Sequence, residues 1–269
     1  MKLRSAAALA ATLLFVPFTA TSASAAVPAN DTFAGATVVG SLPTTIEQDT
    51  TEATTDALDA SLNGMCGAPA TNASVWFTYT DITGDGFLAD VSASDYTAGV
   101  IVTAGDPNEG NLVACGPGQV GVRGEAGTTY SVMAFSDSAA QGGNLSMTFG
   151  ELPPAPTAAL TVDPRGVAYK DGTARITGTY NCTNADGFNS DVSGTLTQTV
   201  GRVKINGFFF VNPLECDGST HTWEAFVFSE NGLFSGGKAA NFSVAFACGL
   251  AECAVVEASG KVQLSRNGK

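Results

Sequence analysis

Apolar and polar residues alternate in short runs along most of this chain. Over Ser74 to Thr80, Val75, Phe77 and Tyr79 alternate with Ser74, Trp76 and Thr78. Over Asn241 to Cys248, Phe242, Val244, Phe246 and Cys248 hold the even positions, and Asn241, Ser243, Ala245 and Ala247 the odd ones. Side chains of a strand point alternately to opposite faces, so a period of two marks a strand whose apolar set lies in a core. Ala174 to Cys182 repeats the pattern, with Ile176, Tyr180 and Cys182 expected inward. Asp85-Gly86, Asp171-Gly172, Asp186-Gly187, Asp217-Gly218 and Asn231-Gly232 punctuate these runs. Such dipeptides supply the positive φ of tight hairpins. Helical periodicity is scarce; Thr54 to Leu62 could form one short helical turn. Short strands at this turn spacing predict an all-β fold: two β-sandwich domains in tandem, immunoglobulin-like or jelly-roll-like, with seven or eight strands each.

The expected organisation follows from composition shifts. Lys2 and Arg4 precede an apolar run from Ala6 to Phe18, and Ala23-Ser24-Ala25 fits a small-x-small cleavage site. Residues 1–25 therefore read as a signal peptide, since thirteen apolar residues reach only about 20 Å of the roughly 30 Å hydrocarbon core. Glu151-Leu152-Pro153-Pro154-Ala155-Pro156 reads as a stiff proline-rich linker. It separates one expected domain at 26–150 from another at 157–269. No later run is apolar and long enough to span a bilayer, so a released, extracellular product is expected. The formal net charge of −13 argues against nucleic acid and anionic membranes as partners, because both need basic patches. A monomer is expected.

Export makes disulfides available to Cys66, Cys115, Cys182, Cys216, Cys248 and Cys253. Six cysteines allow fifteen pairings. If no bridge crosses the linker, Cys66 pairs with Cys115 and three pairings remain for the other four. Cys182–Cys216 with Cys248–Cys253 is favoured among them. In the chain-entropy picture the Cys66–Cys115 loop contributes about 4 kcal/mol and the Cys248–Cys253 loop about 2 kcal/mol. A metal site is disfavoured: the chain has no C-x-x-C, and His221 is its single histidine.

Candidate chemistry is thin. Gly207-Phe208-Phe209-Phe210 and Ala225-Phe226-Val227-Phe228 place aromatics on both faces of their strands. Either Phe208 and Phe210 face inward and Phe209 outward, or the reverse. The outward set is covered by a neighbour or forms a ligand patch, for which Phe208, Phe209, Phe210 and Trp223 are the candidates. His221 shares a strand face with Trp223, but no G-x-S-x-G elbow accompanies it. Glu215 and Glu224 are an acid pair of no special spacing. Gly116-Pro117-Gly118-Gln119-Val120-Gly121 matches G-x-G-x-x-G, yet the residues after it read as strand, not as the helix a pyrophosphate needs. Asp81-x-x-x-Asp85 reads as a polar turn rather than a calcium loop, since calcium takes six to eight oxygens. No catalytic residue, metal or cofactor is assigned.

Four segments carry a family resemblance over Val27 to Phe149: Asn30-Asp31-Thr32-Phe33-Ala34-Gly35-Ala36-Thr37, Gln48 to Thr54, Ser74-Val75-Trp76-Phe77-Thr78-Tyr79, and Ala126-Gly127-Thr128-Thr129-Tyr130-Ser131-Val132. In this order they resemble the bacterial pre-peptidase C-terminal domain family. The resemblance implies a β-sandwich that accompanies secreted hydrolases as an ancillary or adhesive module. Its cation-holding loop is replaced here by Gly116-Pro117-Gly118. Thr161-Val162-Asp163-Pro164 and the run from Asp171 to Cys182 resemble uncharacterised domains of bacterial secreted proteins. The C-x4-C of Cys248 and Cys253 is similar to one in neocarzinostatin-type carriers. The expected function is that of a secreted, non-catalytic binding or ancillary protein whose ligand is extracellular polysaccharide, cell wall or protein. The alternatives are a small-molecule carrier with an apolar pocket in the second domain and a hydrolase acting through His221.

Overall fold

The computed structural model describes residues 26–138 and 141–266; the expected signal peptide lies outside the described residues. The fold is all-β, as the alternation predicts. Thr37–Val39 (β1), Thr44–Asp49 (β2), Asn72–Asp81 (β3), Phe87–Asp90 (β4), Ala98–Ala104 (β5), Leu112–Pro117 (β6), Gln119–Val122 (β7), Thr128–Ser136 (β8) and Asn144–Gly150 (β9) form two sheets. One has the order β1-β3-β8-β5-β6 and the other β2-β9-β4-β7. Val75, Phe77, Val100, Val102 and Val132 meet Phe87, Leu145, Met147 and Phe149 in a shared core.

The strand β3 does not divide into one wet and one dry face. Its second face carries Trp76, which packs with Ile101, Met133, Phe135 and Leu62 in a separate cluster. Leu62 comes from the helix Ala57–Cys66 (α1), longer than the single turn the sequence suggests. Asp56 caps its N-terminus, accepting from the backbone N–H groups of Leu58 and Asp59, while the Asp59 carboxylate accepts from the Asp56 N–H. This reciprocal cap satisfies amides that a helix start otherwise leaves unpaired. At the other end Gly67 adopts the left-handed conformation, and Cys66 is bridged to Cys115 on β6.

Residues 151–156 run without regular structure between β9 and the next strand. Thr157–Leu160 (β10), Arg165–Ala168 (β11), Ala174–Thr183 (β12), Asp191–Val200 (β13), Val203–Val211 (β14), His221–Ser229 (β15), Gly237–Cys248 (β16) and Cys253–Arg266 (β17) belong to one sheet, ordered β10-β12-β11-β17-β16-β13-β14-β15. A further pairing of β15 with β12 closes it into a barrel. The closure is narrow at one corner, where β14 and β15 pair only through Gly207↔Ser229 and Phe208↔Phe228. Closing the sheet leaves the four-residue β10, paired with β12 alone, as a short edge, and so limits the open edge that would otherwise template aggregation. Cys182–Cys216 and Cys248–Cys253 brace this unit, and no cysteine is free.

The barrel interior is filled by side chains. Phe209 and Trp223 stack at its centre, and Ile176, Leu196, Val227 and Ile205 pack in the same core. Two large rings leave little volume for the strands opposite. The inward positions of β16 are accordingly Ala239, Asn241, Ser243, Ala245 and Ala247. Asn241 and Ser243 satisfy each other by hydrogen bonds of 2.9 and 3.1 Å. The alternation on β16 is therefore inverted relative to expectation: the small, polar odd positions are buried and Phe242 points out. On β12 the expected orientation holds, with Ile176, Tyr180 and Cys182 inward. Among the described residues no helix is long and apolar enough to cross a membrane.

Candidate functional site

The inversion of β16 coincides with an aromatic outer face on its neighbours. Phe242 on β16 lies opposite Thr195 on β13, Thr195 opposite Phe208 on β14, and Phe208 opposite Phe228 on β15. Ser259 on β17 continues the row beyond Phe242. With strands about 4.8 Å apart, this five-strand row runs roughly 19 Å around the wall of the barrel. Phe210 and Phe226 sit two residues further along β14 and β15, on the same outer faces, and Phe226 stacks on Tyr169. Exposure is 53% at Phe208, 58% at Phe210, 49% at Phe226, 68% at Phe228 and 44% at Phe242. Nothing in the described chain covers them to the extent a core would. Soluble monomers seldom expose so contiguous an apolar patch without a use for it.

The candidate patch drawn from sequence is thus split by the sheet. Phe208 and Phe210 are on the surface, but Phe209 and Trp223 are buried and stacked on each other. The reason is parity: Phe209 alternates with its neighbours on β14, and Trp223 is spent on the interior, its indole N–H donating to the Thr161 carbonyl at 3.0 Å. The surface members that the patch lacked are Phe226, Phe228 and Phe242. The first two belong to the Ala225 to Phe228 aromatic run, and Phe242 to the apolar set that the alternation of β16 predicts for the core.

Charge is ordered along the strands that carry this face. At one end stand Lys204, Lys238 and Lys261, all outward. At the other stand Asp191, opposite Phe246, and Glu257, opposite Val244. None of these five takes part in an ion pair among the described residues, and the exposed Glu230, whose backbone N–H donates to the Asn206 carbonyl, adds one acid at the lysine end.

The other candidates resolve into local structure. His221 is bracketed by carboxylates, with Nδ1 3.3 Å from Glu215 and Nε2 2.8 Å from Asp217, and its ring stacks on Tyr180. Both ring nitrogens are taken, so neither faces a hydroxyl to be activated. The His221 hydrogen bond, aided by the Ser219 backbone N–H, holds the Asp217 carboxyl below its ordinary range. Glu215 and Glu224 do not form a pair, because Glu224 is bound to Arg175. Asp81 is buried and accepts from the backbone N–H groups of Gly84 and Gly86 at 2.8 Å each, which makes it the staple of a turn. Gly116 to Gly121 lie in β6, β7 and the turn between them, with Gly118 at φ 70°. Among the described residues no group of three or more His, Cys, Asp or Glu side chains is placed to hold a metal.

Comparison with known families matches residues 156–248 to DUF6299, a family of unknown function. The match covers the second unit through β16 and leaves the pre-peptidase resemblance of the first unit without support. No curated protein matches the chain. Among solved structures, Parabacteroides merdae β-glucuronidase with glycerol in its active site is similar at 9% identity and a TM-score of 0.25, over 70% of this chain and 27% of that one. A GH2 β-galacturonidase from Eisenbergiella tayi bound to galacturonate is similar at 10% identity and a TM-score of 0.24, over 81% and 43%. Bacteroides uniformis β-glucuronidase 3 gives 9% identity and 0.23, over 71% and 27%. This chain spans less than half the length of each of these proteins, and superpositions this loose carry no argument about activity.

Proposed function

We propose that this chain is a secreted, non-catalytic binding or ancillary protein of the extracellular space, and that it binds through the aromatic outer face of its second unit. The observation that carries the reading is the exposed row of Phe242, Phe208 and Phe228 with Phe210 and Phe226 beside it. Exposed aromatics of this number are costly in water and enriched where surfaces associate. Three disulfides support an oxidising compartment, and the signal-like N-terminus supports export. The filled barrel gives no support to an apolar carrier, and the bracketed His221 gives none to a hydrolase.

Of the three ligand classes, protein fits this face best. Phenylalanine has no hydrogen-bonding tip, whereas sugars present many hydroxyls that a binding site must satisfy. Retention of the secreted chain on immobilised proteins, a second copy of this chain among them, on insoluble polysaccharides and on envelope fractions tests the reading. The wild-type chain should be retained on at least one of them, and Phe208→Ser with Phe228→Ser should abolish retention. Equal retention of the double variant would refute the assignment of the face.

A further inference from the structure

We infer that the partner of the aromatic face is a second copy of this chain, bound face to face with its strands reversed. The inference rests on the reading above that the face binds protein, and departs from the expected monomer. Two observations point to self-pairing: the area of the apolar patch and the order of the charges around it.

Five phenylalanines, each about half exposed, present on the order of 500 Å² of apolar surface, taking roughly 200 Å² for a whole aromatic side chain. A standard interface takes about 800 Å² from each partner, of which about 65% is apolar in homodimers. A patch of this size, followed around the curved wall of the barrel, supplies most of the apolar share of one side of a stable two-fold dimer. Pairing like with like also requires the surface to be complementary to itself.

The charges meet that requirement. Lys204, Lys238 and Lys261 lie at one strand end of the face, with Glu230 the acid beside them, and Asp191 and Glu257 lie at the other. A two-fold axis lying in the interface and perpendicular to the strands exchanges these ends. It sets the lysines of each copy against the acids of the other and lays the two phenylalanine rows together. Parallel stacking instead opposes lysine to lysine and acid to acid, which costs affinity. The chain carries a net charge of −13, so most other surfaces of two copies repel. On this face three lysines oppose the acids of the other copy, so repulsion is locally relieved.

The test is the mass of the secreted chain in solution, by sedimentation equilibrium over a concentration series. Twice the chain mass is expected, and Phe208→Ser with Phe228→Ser should weaken the dimer on the order of thirty-fold or more. Charge variants make the geometry falsifiable without touching the aromatics. Lys204→Glu/Lys238→Glu/Lys261→Glu alone and Asp191→Lys/Glu257→Lys alone should each be monomeric, and their mixture should restore the dimer. A wild-type monomer at every concentration, a dimer indifferent to the serine substitutions, or a mixture that stays monomeric would each overturn self-pairing. If the wild-type monomer is still retained on another protein and the serine variant is not, the binding function stands while self-pairing falls. If neither is retained, both fall.

Discussion

Phe209 stacks almost parallel on Trp223 in the barrel interior, with ring centroids 5.7 Å apart and 5° between the planes. Each ring lies over a glycine directly across the sheet. Gly194 is the register partner of Phe209, and Gly178 that of Trp223. A Cβ at Gly194 would sit closest to the Phe242 carbonyl oxygen and 2.8 Å from the Phe209 ring, and one at Gly178 closest to the Thr161 carbonyl oxygen and 2.6 Å from the Trp223 indole nitrogen. Both glycines admit a ring and a neighbouring backbone carbonyl at close range, and neither is a turn residue.

Gly178→Ala and Gly194→Ala should each destabilise the second unit by about 1–3 kcal/mol through overpacking, and Phe209→Ala by about 3–5 kcal/mol through a cavity. Denaturant unfolding measures the cost, and near-ultraviolet circular dichroism of Trp223 should change in all three variants. Wild-type stability in the alanine variants would mean the stack does not fill the core.

Asp59 ties α1 to β3. It is buried, and its carboxylate accepts from the Trp76 indole at 3.0 Å, from the Ser74 hydroxyl and from the Asp56 N–H. Burial raises its pKa, against the lowering effect of these bonds. A carboxyl that holds its proton more tightly in the folded state adds stability at low pH, and that contribution is lost as pH rises from the unfolded pKa of 3.8 through the raised folded value. Relative to Asp59→Asn, the wild type should therefore lose stability between acid and neutral pH. Tm of the two proteins from pH 3 to 7 checks the sign; a difference that grows in favour of the wild type with rising pH would refute it.

The outer aromatics should matter little for folding. Phe208→Ser with Phe228→Ser removes one cross-strand pair, worth about 1 kcal/mol or less. At concentrations low enough for both proteins to be monomeric, the variant should unfold close to the wild type in urea yet bind far less of a hydrophobic fluorescent dye. A loss of several kcal/mol would show these rings to be structural.

Bridge removal should follow loop length. The bridges enclose separations of 49, 34 and 5 residues. Cys66→Ser/Cys115→Ser and Cys182→Ser/Cys216→Ser should each cost about 4 kcal/mol, and Cys248→Ser/Cys253→Ser about 2 kcal/mol. Thermal unfolding of the three double variants gives the order, and the native chain should titrate no free thiol.

At the barrel rim, His221→Ala should raise the Asp217 pKa toward the ordinary carboxylate range, because the His221 hydrogen bond is the main cause of its lowering. Carboxyl titration by NMR reads the shift. No movement would assign the lowering to Ser219 instead.

Much of this architecture was legible along the chain. The Asp-Gly turns and two-residue periods are local features, and backbone geometry converts them directly into strands. Helix α1 was only half visible, because its length depends on the Asp56 cap and on burial of Leu62 under the second face of β3. The aromatic face was legible as a surplus of phenylalanine, but not as a surface. Phe209 and Phe242 were the misleading members, since nothing local says which of two neighbouring parities enters a core.

The sequence by itself determined the all-β class, the strand-rich runs and the cysteines available for bridging, because these follow from backbone periodicity and chain order. Only the tertiary structure decided which face of each strand is inside. That choice depends on volume shared across the barrel: once Phe209 and Trp223 occupy the centre, β16 must present alanine, asparagine and serine inward, and Phe242 is left in the solvent beside Phe208 and Phe228.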